Sequence, residues 1–382
     1  MTMPNWGSNI SAGILQPQPL ERAQTLPSCW YTQPDYHTGD LSWVISAQWQ
    51  LVGHTSRLST PGDHLVAQIA NNPVMVVRGK EGQLNGFHNV CRHRGGPLAI
   101  EDGHCNVLRC RYHGWSYDLN GKLIGTPEFD GVQDFDPEAY GLPPVTVDTW
   151  EGFVFASLSD TAPPLAEVMA GISERIAPIE LSKFRFATRV EYDIACNWKV
   201  YVDNYLEGYH INAVHPELAE LLDYRNYVTE TAPYYSLQHS PFRADAENNV
   251  YSASNQGQAF YYFVYPNLML NIMPRRLQTN LIVPLAHNRT RVIFDYYYDV
   301  AAGEDIDAMI REDLAYSELI QQQDIDICLQ VQKGLESVSY DRGRFSVKRE
   351  LGVHHFQELV KTAYRNGLES RQKSAPDLIS QQ

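Results

Sequence analysis

The sequence predicts an α+β protein in two parts, a small all-β domain followed by a larger domain whose antiparallel sheet is flanked by helices. Three observations carry this reading. From Trp43 to Leu158 the chain is cut into short β-rich pieces, such as Pro73–Arg78, by turns at Gly79–Gly82 and Asn120-Gly121. Between Gln258 and Val300 four aromatic or aliphatic runs follow one another: Ala259–Tyr265, Leu268–Met273, Leu277–Val283 and Arg291–Asp299. In the last, Val292, Phe294, Tyr296 and Tyr298 alternate with Ile293, Asp295 and Tyr297, the period of a strand covered on one face. Helical stretches near Trp198–His210 and from about Glu304 to Leu335 bracket these runs. Thr161–Ile179, opening with Ala162-Pro163-Pro164 and continuing as helix, separates the parts. The expected division is an N-terminal segment, 1–42, packing on the larger domain, then the β domain, 43–160, then the larger domain, 161–382.

At 382 residues the chain is long enough to bury a large core, and 43% hydrophobic with 20% charged residues is a globular balance. Lys and Arg total 30 against 45 for Asp and Glu, and the net charge of −15 would repel a phosphate backbone. No run reaches the roughly 18–20 apolar residues of a membrane helix, and Met1–Ala12 has no basic segment followed by an apolar one. A cytoplasmic protein that binds neither nucleic acid nor membrane is expected. Six scattered cysteines in so long a chain read as reduced thiols or metal ligands rather than a disulfide framework.

Two of them belong to the first metal motif. Cys91-Arg92-His93 is followed, after 16 residues, by Cys110-Arg111-Tyr112-His113, with Gly95, Gly96, Pro97 and Gly114 where loops must turn. A zinc finger has both Cys first and both His on a helix, which this order is not, although a zinc ribbon remains open. The order Cys-His then Cys-His fits two loops clasping a Rieske [2Fe–2S] cluster, Cys91 and Cys110 on one iron and His93 and His113 on the other. The flanks Phe87-His88-Asn89-Val90 and Gly114-Trp115-Ser116-Tyr117 resemble the Rieske domain of ring-hydroxylating oxygenases.

The second motif runs from Asn197 to His210 and on to His215-Pro216. Histidines five apart lie about 140° apart on a regular helix, so both can bind one ion only if the helix ends or bends between them. Pro216 makes such an end plausible. A two-histidine, one-carboxylate triad for non-heme Fe(II) also needs an acid, and Asp324 and Asp326 on the long helix are the candidates. Ile320, Asp324, Cys328, Val331 and Leu335 form one helical stripe, while Gln322, Asp326, Gln330 and Lys333 form a polar one. Asp324 is thus a carboxylate on an apolar face, costly unless paired with charge.

With both motifs in this order, the chain resembles the catalytic α-subunit of the Rieske non-heme iron oxygenases over nearly its whole length. The resemblance implies a helix-grip catalytic domain and His210, His215 and Asp324 as iron ligands. It also implies that Glu207 bridges that site to the cluster of a neighbouring subunit, with Asp203, four residues earlier, as the rival. Glu rather than Asp there is a feature of the family's quaternary-ammonium branch. Thr25–Ser28 with Trp30-Tyr31, Phe260–Asn267, Asp324 through Val331–Leu335, and Gly352–Phe356 are similar to that branch as well.

What the resemblance implies is O2-dependent hydroxylation or N-demethylation of a small choline-, betaine- or carnitine-like compound, by a homotrimer fed electrons by a separate NAD(P)H-dependent reductase or ferredoxin. An aromatic-ring or aromatic-acid oxygenase is the alternative. A non-catalytic Rieske electron carrier would need only the first motif. No Gly-x-Gly-x-x-Gly fingerprint follows a strand, in keeping with a separate reductase. Because a quaternary ammonium donates no hydrogen bond, its recognition relies on aromatic faces and carboxylates. Tyr201, Tyr205, Tyr261, Tyr265, Tyr296 and Tyr298 lie in segments expected to line the pocket.

Overall fold

The computed structural model of the protein describes residues 10, 13–242, 258–300 and 306–374. Met1–Ala12 other than Ile10, Glu304 at the expected helix start, and the larger domain beyond residue 374 lie outside them. The chain forms two compact units, residues 45–169, and residues 1–44 together with 170–382.

Two short N-terminal helices, α1 (Cys29–Thr32) and α2 (Pro34–Gly39), belong to the larger unit. Asp40, just after them, is fully buried and accepts from Trp198 Nε1 at 2.8 Å, from the Tyr364 hydroxyl at 2.9 Å and from the ammonium of Lys199, itself fully buried. Removing one partner from such a pair typically costs about 3–5 kcal/mol, because the other charge is left buried alone.

The smaller unit is all β apart from short helical turns. Its strands are β1 (Gln50–His54), β2 (Asp63–Ile69), β3 (Asn72–Arg78), β4 (Leu84–His88), β5 (Gly103–His104), β6 (Leu108–Arg109), β7 (Ser116–Tyr117), β8 (Leu123–Gly125), β9 (Pro144–Trp150) and β10 (Phe153–Ser157), with α3 (Leu165–Val168) after them. Seven form an antiparallel sheet ordered β1-β10-β9-β4-β3-β2-β5, and β6-β7-β8 form a second. The core between them includes Met75, Phe87, Leu98, Leu108, Trp115 and Tyr117, so the loops after β4 and after β6 rest on packed side chains.

In the larger unit α4 (Ile172–Ile176) and β11 (Arg185–Ile194) precede three helical pieces, α5 (Trp198–Tyr205), α6 (Ile211–Val214) and α7 (Pro216–Leu221). Then come β12 (Val228–Ala232), β13 (Tyr235–Pro241), β14 (Gln258–Val264), β15 (Leu268–Met273), β16 (Arg276–Ala286), β17 (Arg289–Tyr298), α8 (Asp307–Leu335) and α9 (Leu351–Ser374). The antiparallel sheet has the order β11-β17-β16-β15-β14-β13-β12. Register aligns Tyr261, Asn271, Gln278 and Tyr296 in one cross-strand row, with Met273, Arg276 and Tyr298 one row to one side and Phe263, Met269, Asn280 and Phe294 one row to the other. Strand alternation places all of these on one face. α8 meets that face through Asp313 on Arg276 and Ser317 on Tyr296, and α9 through Phe356 against Phe263.

The stripe expected on α8 is only partly observed. Asp324 is partly buried, Cys328 is buried and Asp326 is exposed, but Val331 is 44% exposed. The buried face instead runs through Asp313, Ser317, Gln321, Cys328 and Gln332. It is polar because the sheet face beneath carries Arg276, Gln278 and Tyr296, whose polar groups need partners.

Candidate active site

In the larger unit, Asn197 begins the motif by capping α5, its side chain accepting from the Lys199 N–H at 3.0 Å. The helix stops at Tyr205 instead of continuing to His210. His210 then precedes α6, and His215 sits between α6 and α7 with Pro216 opening α7. These breaks bring the two imidazoles together, with ring centroids 5.0 Å apart.

Asp324 meets them from α8. Its Oδ1 lies 3.0 Å from His215 Nε2 and 3.7 Å from His210 Nε2, and one ligand atom from each residue falls within 4.8 Å of the others. The far ring nitrogens are held, His210 Nδ1 by Glu207 Oε1 at 2.6 Å and His215 Nδ1 by Gln323 Oε1 at 2.7 Å. A divalent iron fits such a donor set, since outer partners fix each Nδ1–H and turn Nε2 inward. Burial lowers the His215 pKa, but the hydrogen bond and charge of Asp324 outweigh it and leave the group raised. Asn204, which the sequence reading missed, donates to Asp324 Oδ1 at 2.6 Å, and Gln323 donates to Glu217 at 3.1 Å.

Glu207 is partly buried, and its second oxygen accepts the N–H of His210 at 3.1 Å and that of Tyr209. Its carboxylate therefore orients the His210 ring of its own chain. Asp203 turns away toward α1 and α9, accepting from Tyr31 at 2.7 Å and Gln357 at 3.1 Å. Burial raises its pKa to about 7.

Beside the triad is a cavity with about 130 Å³ of water-accessible space. Tyr201, Tyr205 and Tyr261 line it, as do Tyr227, Tyr316 and Phe294, with Leu218, Leu221 and Leu222 from α7 and its C-terminal cap. Tyr265, Tyr296 and Tyr298 are not among its lining residues. The face is the expected one, but α8 covers Tyr296 through Ser317 at 2.8 Å and Tyr298 through Asp313 at 2.5 Å, while Tyr265 packs on Phe356 of α9. Burial raises the pKa values of Tyr205 and Tyr227 well above the usual range and that of Tyr261 to about 12, so the phenols stay neutral.

In the smaller unit the two Cys-His loops repeat one hydrogen-bond pattern. Cys91 N–H donates to Gly96 O at 2.8 Å and Gly95 N–H returns to Cys91 O at 3.0 Å; Cys110 N–H donates to Trp115 O at 2.8 Å and Gly114 N–H returns to Cys110 O at 3.0 Å. Gly95 and Gly114 have φ of 73° and 76°, where a side chain would strain the turn. The loops touch: a Cβ on Gly96 would stand 3.0 Å from Cys110 Sγ. Both thiols are buried, Cys91 beside the Tyr117 hydroxyl at 3.4 Å, and the His93 and His113 ring centroids are 4.8 Å apart. His93 Nδ1 is buried with no hydrogen-bond partner among the described residues, and Arg94 donates to His113 Nε2 at 2.8 Å, leaving Nδ1 of that ring available. Two buried thiols and two such imidazoles fit a Rieske cluster.

Residues 48–136 match the Rieske [2Fe-2S] domain, and residues 181–366 match the catalytic domain of the ring hydroxylating alpha subunit. The chain belongs to the Rieske non-heme iron oxygenases, oxidoreductases that carry a [2Fe–2S] cluster and a non-heme iron. Among its relatives, the chloroplastic choline monooxygenase of Arabidopsis thaliana is 34% identical over 356 residues, which are 90% of this chain and 83% of that one. The carnitine monooxygenase oxygenase subunit of Escherichia coli (strain K12) is 27% identical over 94% of this chain and the whole of its own length. A quaternary ammonium Rieske monooxygenase solved in complex with L-carnitine superposes with a TM-score of 0.80 at 26% identity, covering 91% of this chain and 99% of that one. Naphthalene 1,2-dioxygenase, at 18% identity and a TM-score of 0.72 over 91% of this chain and 96% of that one, shares the fold. No helix among the described residues is long and apolar enough to cross a membrane.

Proposed function

We propose that this protein is the oxygenase component of a monooxygenase that hydroxylates or N-demethylates a small quaternary-ammonium compound of the choline, betaine or carnitine type. The observation that carries the reading is the tyrosine-lined cavity opening on His210, His215 and Asp324. His210, His215 and Asp324 would hold the mononuclear iron and Cys91, His93, Cys110 and His113 the cluster. Once bound, these groups supply O2 reduction and C–H oxidation, with electrons arriving from a separate NAD(P)H-dependent reductase or ferredoxin.

The chain's own residues do the rest. Neutral phenol rings present faces to a cation that donates no hydrogen bond. Leu218, Leu221 and Leu222 give the cavity an apolar wall, beside which that attraction is stronger than in water. Glu207 and Gln323 hold the protons of His210 and His215 at Nδ1. Two relatives support the reading: the bacterial one is an oxygenase subunit, and a quaternary ammonium Rieske monooxygenase of similar structure is described in terms of carnitine oxidation and inter-subunit electron transfer. On the same grounds we read the protein as a cytoplasmic homotrimer in which Glu207 links the iron site to His113 of a second copy. The four cysteines outside the cluster motif, Cys29, Cys105, Cys196 and Cys328, form no disulfide, which accords with a reducing compartment.

The test is purified protein analysed for iron and acid-labile sulfide, then assayed with a surrogate reductase for O2 uptake coupled to product. Quaternary ammonium compounds should stimulate coupled uptake and aromatic acids should not; the reverse overturns the reading. Sedimentation should give a trimer, and a fully active monomer would refute that assembly.

A further inference from the structure

The cavity also carries information about the substrate's uncharged end. α8 and β16 run level: Asp313 bonds Arg276, and Ser317 reaches Gln278 at 3.5 Å. Four helical residues advance about 6 Å and two strand residues about 6.6 Å, so the next rung sets Gln321 opposite Asn280. Asp324 follows about 4.5 Å further along the helix. Both Gln321 and Asn280 line the cavity and are 2% exposed. Gln321 Oε1 accepts the Tyr201 hydroxyl at 2.7 Å, which leaves its Nε2 donor without a partner among the described residues. Asn280 Oδ1 is likewise a buried acceptor without a partner there.

A donor and an acceptor on one rung are satisfied together by a hydroxyl, which accepts from one and donates to the other. A carboxylate only accepts, so to meet one Asn280 would have to turn its amide and give up the contact of its Nδ2 with Met269 Sδ at 3.9 Å. The far end of the cavity points the same way. Among the described residues, Arg276 is the lining side chain with a fixed positive charge. Its Nε donates to fully buried Asp313 at 2.5 Å, its Nη2 donates to Gln278, and its guanidinium lies 5.5 Å over the Tyr296 ring. Its charge is cancelled by Asp313, so a buried substrate carboxylate there would add an uncompensated anion. The same cancellation lets a trimethylammonium group sit near Arg276 without repulsion.

Resting on the quaternary-ammonium reading above, we infer that the cavity selects a quaternary ammonium alcohol over a carboxylated betaine. Gln321 and Asn280 read the hydroxyl, and Asp313 neutralises Arg276.

The experiment is calorimetric binding to the cluster- and iron-loaded enzyme under anaerobic conditions, with choline, tetramethylammonium, glycine betaine and γ-butyrobetaine as probes. Wild type should bind choline at least about tenfold more tightly than either carboxylate. Gln321→Leu and Asn280→Leu should each weaken choline about tenfold, the worth of one buried hydrogen bond left unmade, and leave tetramethylammonium unchanged. Asp313→Asn should weaken tetramethylammonium and strengthen γ-butyrobetaine. Equal losses for choline and tetramethylammonium in the two leucine variants, or tighter wild-type binding of γ-butyrobetaine than of choline, would overturn the inference. The wild-type comparison stands even if a variant does not fold. Binding of none of the four probes would instead sink the quaternary-ammonium reading on which it rests.

Discussion

Glu207 offers the sharpest test of the iron site, because within its own chain its carboxylate holds the ring and backbone N–H of His210 and the N–H of the adjacent Tyr209. One oxygen takes the His210 Nδ1 proton at 2.6 Å; the other takes the N–H of Tyr209 and of His210 itself, the latter at 3.1 Å. Glu207→Ala removes the group that fixes the His210 tautomer and, with it, the clamp on the turn between α5 and α6. Losing an outer partner of a metal-bound histidine typically costs 10–100-fold in metal affinity. That range corresponds to about 1.4–2.8 kcal/mol, in line with the ~1.5–3 kcal/mol of one hydrogen bond to a charged group. Gln at this position keeps a carbonyl for His210 but turns an amide donor toward the two backbone N–H groups, so Glu207→Gln should fall between wild type and Ala. The assay is anaerobic competition for Fe(II) against a chromogenic chelator, with the cluster's visible absorbance as the internal control for folding. Unchanged iron affinity in Glu207→Ala would refute the orienting role. It would leave Glu207 clear of the iron, as a link between subunits alone.

Three further outcomes follow. Asp324→Ala should lose the mononuclear iron while keeping the cluster spectrum, and exposed Asp326→Ala should keep both; iron analysis beside visible absorbance decides, and the opposite pattern would name the wrong carboxylate. Cys110→Ala should abolish the [2Fe–2S] spectrum, whereas colourless wild-type protein carrying one zinc would refute the Rieske assignment of the loops. Asp203, whose folded pKa burial raises from 3.8 to about 7, binds its proton longer in the folded state than in the unfolded one. Its contribution to stability therefore falls as pH rises from about 4 to 7 and then levels off. Asp203→Asn lacks that loss, so its melting temperature relative to wild type should rise between pH 5 and pH 8; a constant gap would contradict the shift.

The sequence revealed what periodicity and ligand spacing can encode, and missed what depends on the third dimension. The four runs between Gln258 and Val300 became β14–β17 because alternating aromatic and aliphatic residues suit a sheet with one helix-covered face. β11 escaped notice: its residues are mostly exposed or partly buried, and its place at the sheet edge rests on pairing with β17 rather than on an apolar pattern. β12 and β13 are short and polar, and α9 has a mixed composition whose buried face, Val353, Phe356, Val360 and Tyr364, becomes meaningful only against the sheet and the N-terminal helices. Tertiary context settled these elements where propensity could not.

The candidate site divides along the same line. His210, His215 and Asp324 were legible through the resemblance to the family, and Pro216 marks in one dimension the break that two histidines five apart require. The tyrosines were half legible. Alternation assigns Tyr261, Tyr296 and Tyr298 to one face, but nothing local says that α8 will lay Ser317 and Asp313 across two of them. The polar layer was illegible for a deeper reason. Asp313, Ser317 and Gln321 look like the solvent side of a surface helix, and only the Arg276, Gln278 and Asn280 rungs facing them turn that side inward. A buried polar stripe is costly unless each group finds a partner. The rungs at Asp313 and Ser317 are matched within the protein, and the rung at Gln321 and Asn280, next to Asp324, is not. Among the described residues of these rungs, the unpartnered Gln321 Nε2 and Asn280 Oδ1 lie where a substrate must come to the iron, which is why this polar stripe reads as recognition rather than packing.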